Sequence, residues 1–324
     1  MFDVVSLGEL LIDFTPSGKT EAGNTLYEQN PGGAPANVTA AVSKLGGKSA
    51  FIGKVGSDAF GRFLKETLIK NGIDTAGLRI AVDDAATTLA FVHLDDKGDR
   101  SFSFYRSPGA DTTLETEELD FKLIDSAKIF HFGSLSLTAD PARSATLVAV
   151  KYAKQKGSMI SYDPNLRLAL WPDAETAKAG ILAGLQYADI LKISEEELAF
   201  ITGTTDYERG SKILCDKGIR LVVITLGPEG CFYRYKHGVG HITTYDTKVV
   251  DTTGSGDAFT GAMLYNLAKR KKSPEDIHNR DMIAILTYAN AAGALCASKR
   301  GAIPAMPGKQ EIQECMRATM KLVR

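Results

Sequence analysis

The chain has 324 residues, with 38 Lys plus Arg against 39 Asp plus Glu and 44% hydrophobic residues. That is enough for one large α/β domain or two ordinary ones with a buried core, and the near-zero net charge offers no basic surface for nucleic acid or an anionic membrane. The opening residues lack the basic and apolar regions of a signal peptide, no run reaches membrane-spanning length, and Cys215, Cys231, Cys296 and Cys315 form no C-x-x-C pair, so a reducing cytoplasm is the expected location.

In chain order, short apolar and β-branched runs at residues 4–7, 50–52, 128–132, 159–162, 190–193 and 221–225 read as buried strands. Amphipathic stretches separate them. This alternation predicts a parallel sheet covered by helices on both faces, a three-layer doubly wound α/β fold with its ligands at the carboxyl ends of the strands. Two segments break the rhythm. Residues 14–31 are polar and carry Pro16, Gly18, Gly23 and Pro31, and residues 87–106 alternate apolar and polar around Asp95-Asp96-Lys97-Gly98-Asp99, a hairpin signal. Together they are expected to form a small β lid inserted in a single domain spanning residues 1–324. Helices are expected over 258–269, 281–297 and 310–323.

The segment Val249-Val250-Asp251-Thr252-Thr253-Gly254-Ser255-Gly256-Asp257-Ala258-Phe259 runs from a β-like stretch through a glycine-rich turn into a helix. Glycines there let the backbone approach a ligand, and the unpaired N–H groups of a first helical turn attract an anion. Asp257 fits a base that takes the proton from an attacking hydroxyl while Gly254, Ser255 and Gly256 stabilise charge on a transferring phosphoryl group. It equally fits a favourable first-turn acid.

The run Asp251-Thr252-Thr253-Gly254-Ser255-Gly256-Asp257-Ala258-Phe259-Thr260-Gly261-Ala262 resembles the second signature of the PfkB, ribokinase-like sugar kinases, D-T-x-G-A-G-D-x-F-x-G-A, with Ser255 for the usual Ala. The first signature is present as Gly32-Gly33-Ala34-Pro35-Ala36-Asn37-Val38-Thr39, continued by Leu45-Gly46-Gly47 and by Gly53-Lys54-Val55-Gly56 to Gly61. The resemblance covers the whole chain and implies Asp257 as catalytic base. Competing motifs are weaker. Gly47-Lys48-Ser49 ends like a Walker A loop but has Val42 where that loop requires Gly, Gly254-Ser255-Gly256 departs from a dinucleotide fingerprint at Phe259, and His237 and His241 sit among glycines that disfavour a zinc-binding helix.

For the acceptor, the resemblance implies that Asp13 accepts hydrogen bonds from sugar hydroxyls, that Gly32 and Gly33 bring backbone N–H groups against the sugar, and that Asn37 contributes a donor and an acceptor. The run from Asp99 through Phe104-Tyr105-Arg106-Ser107-Pro108-Gly109-Ala110-Asp111 is similar to the F-Y-R-x-P-x-A-D stretch of fructokinases, as is Asp163-Pro164-Asn165-Leu166-Arg167 with Trp171-Pro172. Arg106 is then expected as a lid cation on the sugar, and Arg167 as a cation facing the transferring phosphate. Ketodeoxygluconate kinases carry related arginines and are the alternative, together with other PfkB sugar or nucleoside kinases, since a sugar acid also wants a guanidinium.

For ATP, Thr225-Leu226-Gly227-Pro228-Glu229-Gly230 resembles the family's T-x-G-x-x-G turn, so Thr225, Gly227 and Gly230 are expected at the nucleotide, and Asn290 on a helix walling the adenine. The family's N-x-x-E motif, linked to Mg²⁺, falls on Ser194-Glu195-Glu196-Glu197. Glu197 is the candidate, acting through water, although Ser194 with Glu197 also spells a capping box. Relatives hold a monovalent cation with an acid equivalent to Asp251 and carbonyls near Lys299 and Gly301, which makes K⁺ the candidate ion. Lids in this family also serve as dimer surfaces, so a homodimer is the candidate assembly. The resemblance implies transfer of the γ-phosphoryl of MgATP to the 6-hydroxyl of D-fructose; a catalytically silent PfkB-like interaction module is the non-enzyme alternative.

Overall fold

The computed structural model describes residues 1–82, 84–94 and 100–322, with the backbone alone at residues 94 and 100–102. The turn expected at residues 95–99 lies outside the described residues. In chain order the strands are β1 (Phe2–Leu7), β2 (Leu11–Lys19), β3 (Thr25–Gly32), β4 (Ser49–Val55), β5 (Asp74–Ile80), β6 (Leu89–Leu94), β7 (Arg100–Tyr105), β8 (Ala127–Phe132), β9 (Met159–Tyr162), β10 (Ile190–Ser194), β11 (Leu221–Thr225), β12 (Cys231–Tyr235) and β13 (Gly238–Ile242). The helices are α1 (Ala34–Lys44), α2 (Ala59–Lys70), α3 (Phe121–Asp125), α4 (Ala142–Gln155), α5 (Ala174–Leu185), α6 (Glu195–Thr202), α7 (Tyr207–Asp216), α8 (Ser255–Arg270), α9 (Asn279–Ala297) and α10 (Lys309–Ala318).

Nine strands form one sheet in the order β13-β12-β11-β10-β9-β8-β1-β4-β5. All neighbours run parallel except at the β11–β12 and β12–β13 pairs. Because successive strand residues face opposite sides, the continuous apolar runs supply both faces at once. Val4, Ile129, Ile190 and Val223 pack under α1, α8 and α9. Val5, Phe130, Leu191 and Ile224 pack under α4 to α7. The six expected strands are all present in this three-layer α/β fold.

Sequence reading missed β5, β12 and β13. The first mixes Asp74, Thr75 and Arg79 with apolar residues, β12 and β13 form an antiparallel hairpin that departs from the β–α rhythm, and Gly238 and Gly240 weaken the local strand signal. The last helix, expected to reach residue 323, stops at Ala318. Thr319 is extended, the Asp246 N–H donates to Met320 O at 3.0 Å, and the Leu322 N–H donates to Thr244 O at 3.0 Å.

A second sheet of four strands, β3-β2-β6-β7, rises from the carboxyl ends of β1 and β4. Segments 14–31 and 87–106 thus share one sheet, joined by the parallel β2–β6 pairing of Ile12 with Leu89 and Phe14 with Phe91. Phe14 stacks on Phe91 at 4.8 Å and meets Phe60 of α2 edge-on at 5.8 Å, so its underside rests on the body of the molecule.

Candidate active site

Gly254 precedes α8 with φ 76° and ψ −1°, and a Cβ there would approach Ala302 Cβ to 2.7 Å. Only glycine makes this entry without strain. No side chain caps α8, and the N–H groups of Gly256 and Asp257 make no backbone hydrogen bond, so the dipole end of a 16-residue helix faces the cavity with free donors. Asp257 is buried in that first turn, and its Oδ2 accepts from Asn37 Nδ2 at 2.8 Å. Burial first, and then the neighbouring Asp163 carboxylate, raise its pKa to about 6 against the opposing pull of Asn37, Lys192 and Arg167. A carboxylate so poised can collect a hydroxyl proton near neutral pH.

A cavity of about 460 Å³ extends from this loop to the lid and is lined by Asp257, Asn37, Gly33, Asp13, Glu9 and Arg167 among others. Asp13 lies on β2, paired with Asn30 of β3. A side chain at Gly32 would collide with the Asp13 carboxylate, so glycine there leaves room for the acid. Burial pushes Asp13 up to about 7, with Arg167 drawing it down and Asp257 and Asp251 pushing it further up. Asn37 gives its amide hydrogen to the base, while its Oδ1 is buried without a partner, an acceptor available to a bound hydroxyl.

Three groups in this region had no role in the sequence reading. Lys192 of β10 faces α8, close enough that a Cβ on Gly256 would lie 3.0 Å from its Nζ, and it pairs with Asp163 Oδ2 at 3.1 Å. Burial opposes its charge, but Asp163, Glu197 and Asp257 outweigh burial and hold its pKa above the ordinary lysine value. Asp163 also receives Thr260 Oγ1 at 3.4 Å. Glu9, just beyond β1, accepts from Ala34 N at 2.8 Å and is raised to about 7 by burial.

A second cavity of about 440 Å³ opens on the other side of the anion loop, sharing Thr252 and Gly256 with the first. Thr225, Gly227, Gly230 and Asn290 all line it, beside Phe259, Ala294 and Ala297. An apolar slot leading to a helix N-terminus is the form of a nucleotide site with the base in the slot and the phosphates at the loop.

A family model of the pfkB carbohydrate kinases matches residues 1–309. The chain belongs to the pfkB family of carbohydrate kinases. It is 46% identical to fructokinase-2 of Oryza sativa subsp. japonica over 96% of this chain and 93% of that protein. Among solved structures it is similar to the fructokinase of Xylella fastidiosa with bound ATP, with TM-score 0.90 and 33% identity over 98% of this chain and 99% of that one. It is also similar to a double mutant of the Vibrio cholerae O395 fructokinase in a fructose, ADP and potassium ion bound form, with TM-score 0.87 and 34% identity over 97% and 98% of the two chains.

Several expected positions differ in this PfkB kinase. Arg106 is not a free lid cation. Its Nε and Nη2 bind Asp111 Oδ2 at 2.9 and 2.6 Å, Nη1 binds Thr138 Oγ1 at 2.8 Å, and Nη2 binds Leu135 O at 2.9 Å, so it fastens the root of β7 to the body and lies outside the cavity lining. Glu197 is committed to the capping box: Oε2 accepts from Ser194 N at 2.8 Å and Oε1 from Leu166 N at 2.7 Å, which leaves Glu196 and Ser194 as its more open neighbours. The Ser255 N–H donates to Thr252 O at 3.2 Å and so drops out of the anion cradle. Arg167 does line both the first cavity and the space beside Lys192. Asp251 ties two loops together, accepting from Thr253 N at 2.9 Å and Gly301 N at 3.1 Å. Asn290 donates to Ile242 O at 3.0 Å, so its amide nitrogen serves the wall of the slot.

Proposed function

We propose that this protein is a fructokinase, transferring the γ-phosphoryl of ATP to the 6-hydroxyl of D-fructose. The observation that carries the reading is the buried Asp257, with its pKa raised to about 6, seated in the first turn of α8 beside free backbone donors and next to Gly256, which lines both cavities. Asp257 takes the proton of the 6-hydroxyl as the oxygen forms its bond to the γ-phosphorus. The bond from that phosphorus to the β–γ bridging oxygen breaks, and its electron pair leaves with ADP. The N–H groups of Gly256 and Asp257, with Lys192 and Arg167, face the charge that develops on the transferring group. Asn37 holds the base in position, and Asp13 accepts from the sugar hydroxyls.

Glu9, Asp13 and Asp257 all line the sugar cavity. These carboxyl groups offer several acceptors to the hydroxyls of a neutral sugar. The fructokinase relatives support the same choice. Among the described residues no group of three or more His, Cys, Asp or Glu side chains is arranged to hold a metal. That fits Mg²⁺ carried on the nucleotide phosphates with its own waters, beside Glu196 and Glu197, where it would neutralise phosphate charge. The place of Asp251 between two loops suits a neighbouring K⁺ held largely by carbonyls. The lid and body act as one kinase domain, with the lid closing over the sugar, and the exposed Leu26, Tyr27 and Tyr105 on the lid suit a second copy in a homodimer.

A coupled ADP-release assay with D-fructose, followed by phosphorus NMR of the product, tests the reaction. Fructose-dependent ADP release with phosphate attached at the 6-position is expected. No release, or phosphate attached elsewhere, would overturn it.

A further inference from the structure

Asp13 and Asn37 are assigned to the acceptor sugar, whereas Glu9, on the turn between β1 and β2, has no task there. This acid is 2% exposed yet lines the first cavity. Its Oε1 accepts from Ala34 N at 2.8 Å at the start of α1, and a Cβ on Gly33 would collide with the Glu9 carbonyl oxygen, so backbone and carboxyl are both held against that turn. Its Oε2 is buried with no hydrogen-bond partner among the described residues.

A buried carboxylate oxygen left bare is costly, and the protein has no donor in place for this one. Arg106, whose charge reaches Glu9, spends Nε and Nη2 on Asp111, Nη1 on Thr138 and Nη2 again on Leu135 O. Burial raises the pKa of Glu9 to about 7, so above that pH the group is ionised and only accepts. The missing partner is therefore a donor brought by the occupant of the cavity. Asp111 and Arg106 are the strongest neighbouring charges at Glu9, whereas Asp163, Lys192 and Arg167 are those at Asp257. Glu9 thus stands toward the root of the lid and Asp257 toward the anion loop. The hydroxyl that meets Glu9 is a different one from the hydroxyl that loses its proton to Asp257.

We infer that Glu9 is a sugar-binding residue, its Oε2 accepting a hydrogen bond from one hydroxyl that is not phosphorylated while Oε1 stays on α1. The inference rests on the assignment of the first cavity to D-fructose. Losing that hydroxyl should cost about tenfold to a hundredfold in kcat/KM, the worth of a charge-assisted hydrogen bond, so Glu9 would set which sugars are accepted.

The test is kcat/KM at pH 8 with saturating ATP, for the unmodified protein and Glu9→Gln, across D-fructose and analogues that each lack one such hydroxyl: 1-deoxy-, 3-deoxy- and 4-deoxy-D-fructose, and 2,5-anhydro-D-mannitol, which lacks the one at C2. Because the Ala34 N–H requires an acceptor, the glutamine oxygen takes the place of Oε1 and its amino group that of Oε2. The variant thereby exchanges a charge-assisted bond for a neutral one, and turnover of D-fructose should fall about tenfold. One analogue should already be weak with the unmodified protein and lose nothing further in the variant, while calorimetric ADP affinity stays constant. A loss by the same factor with every sugar would make Glu9 only a prop for α1 and would overturn the inference, as would unchanged D-fructose turnover in the variant. No turnover by the unmodified protein would sink the kinase reading and this assignment with it, whereas turnover with uniform losses would sink the assignment alone.

Discussion

Asp257 is held ready by opposing influences, with burial and Asp163 raising its pKa to about 6 and Asn37, Lys192 and Arg167 limiting the rise. Asp257→Asn keeps the shape but removes the base, so kcat should fall on the order of 10²- to 10⁴-fold while calorimetric ADP affinity stays nearly constant. In the unmodified protein kcat/KM should decline as the pH falls through about 6, where the base gains its proton. Lys192→Met removes a nearby positive charge, so this acid limb should move to higher pH as well as losing rate. A loss of rate with an unmoved limb would leave Lys192 a purely structural role. At Asp13 the linkage runs the other way from a salt-bridged acid. Its folded pKa of about 7 lies above its ordinary 3.8, so its contribution to stability is full below about 3.8 and is lost as pH rises through 7. Asp13→Asn should therefore raise Tm at pH 8, by about 1.5 °C for each kcal/mol relieved in a chain of this length, while KM for fructose rises. A lower Tm at pH 8 would contradict the burial argument. Asp257, Asn37 and the paired glycines were legible because each belongs to a long motif. Lys192, Asp163 and Glu9 were not, although a charge inside the apolar run Ile190-Leu191-Lys192-Ile193 was a visible signal. Alternation along β10 puts Lys192 on the α8 side with Ile190.

At the scale of elements, the lid is fastened at its roots. Thr88 Oγ1, just before β6, donates to Asp111 Oδ1 at 2.5 Å, and Arg106, just after β7, binds Asp111 Oδ2. The Arg106 and Asp111 side chains are 6% and 1% exposed, and removing one partner of such a pair costs about 3–5 kcal/mol because the other charge stays buried alone. Arg106→Ala should consequently lower Tm and weaken fructose turnover together. Unchanged thermal stability with altered KM alone would return Arg106 to direct sugar contact. The sequence had shown a cation at the end of an aromatic strand and invited a ligand. Its partner stood five residues on in the same run, but a one-dimensional pattern does not reveal that Asp111 and Thr138 converge on one guanidinium. In the same way Ser194 and Glu197 spelled both a metal motif and a capping box, and the geometry shows both carboxylate oxygens on backbone N–H groups.

Across the whole molecule, the order of apolar runs was enough for six of the sheet's nine strands, its helical layers and the end at which the candidate site lies, because a buried parallel strand needs continuous apolar sequence. The place of Leu322 in the wall of the second cavity was beyond that logic, since the backbone hydrogen bonds that hold residues 320–322 carry no side-chain signature. The sheet, lid and anion loop converge on one arrangement: two cavities that share Thr252 and Gly256 beside Asp257, proposed to take the sugar and the nucleotide. The most direct test of that arrangement is kcat/KM with ATP across D-fructose, D-ribose, D-glucose, 2-keto-3-deoxygluconate and adenosine. D-Fructose should give the highest value, and Asp257→Asn should abolish most of it. A higher value for 2-keto-3-deoxygluconate, or turnover that survives loss of Asp257, would contradict the account.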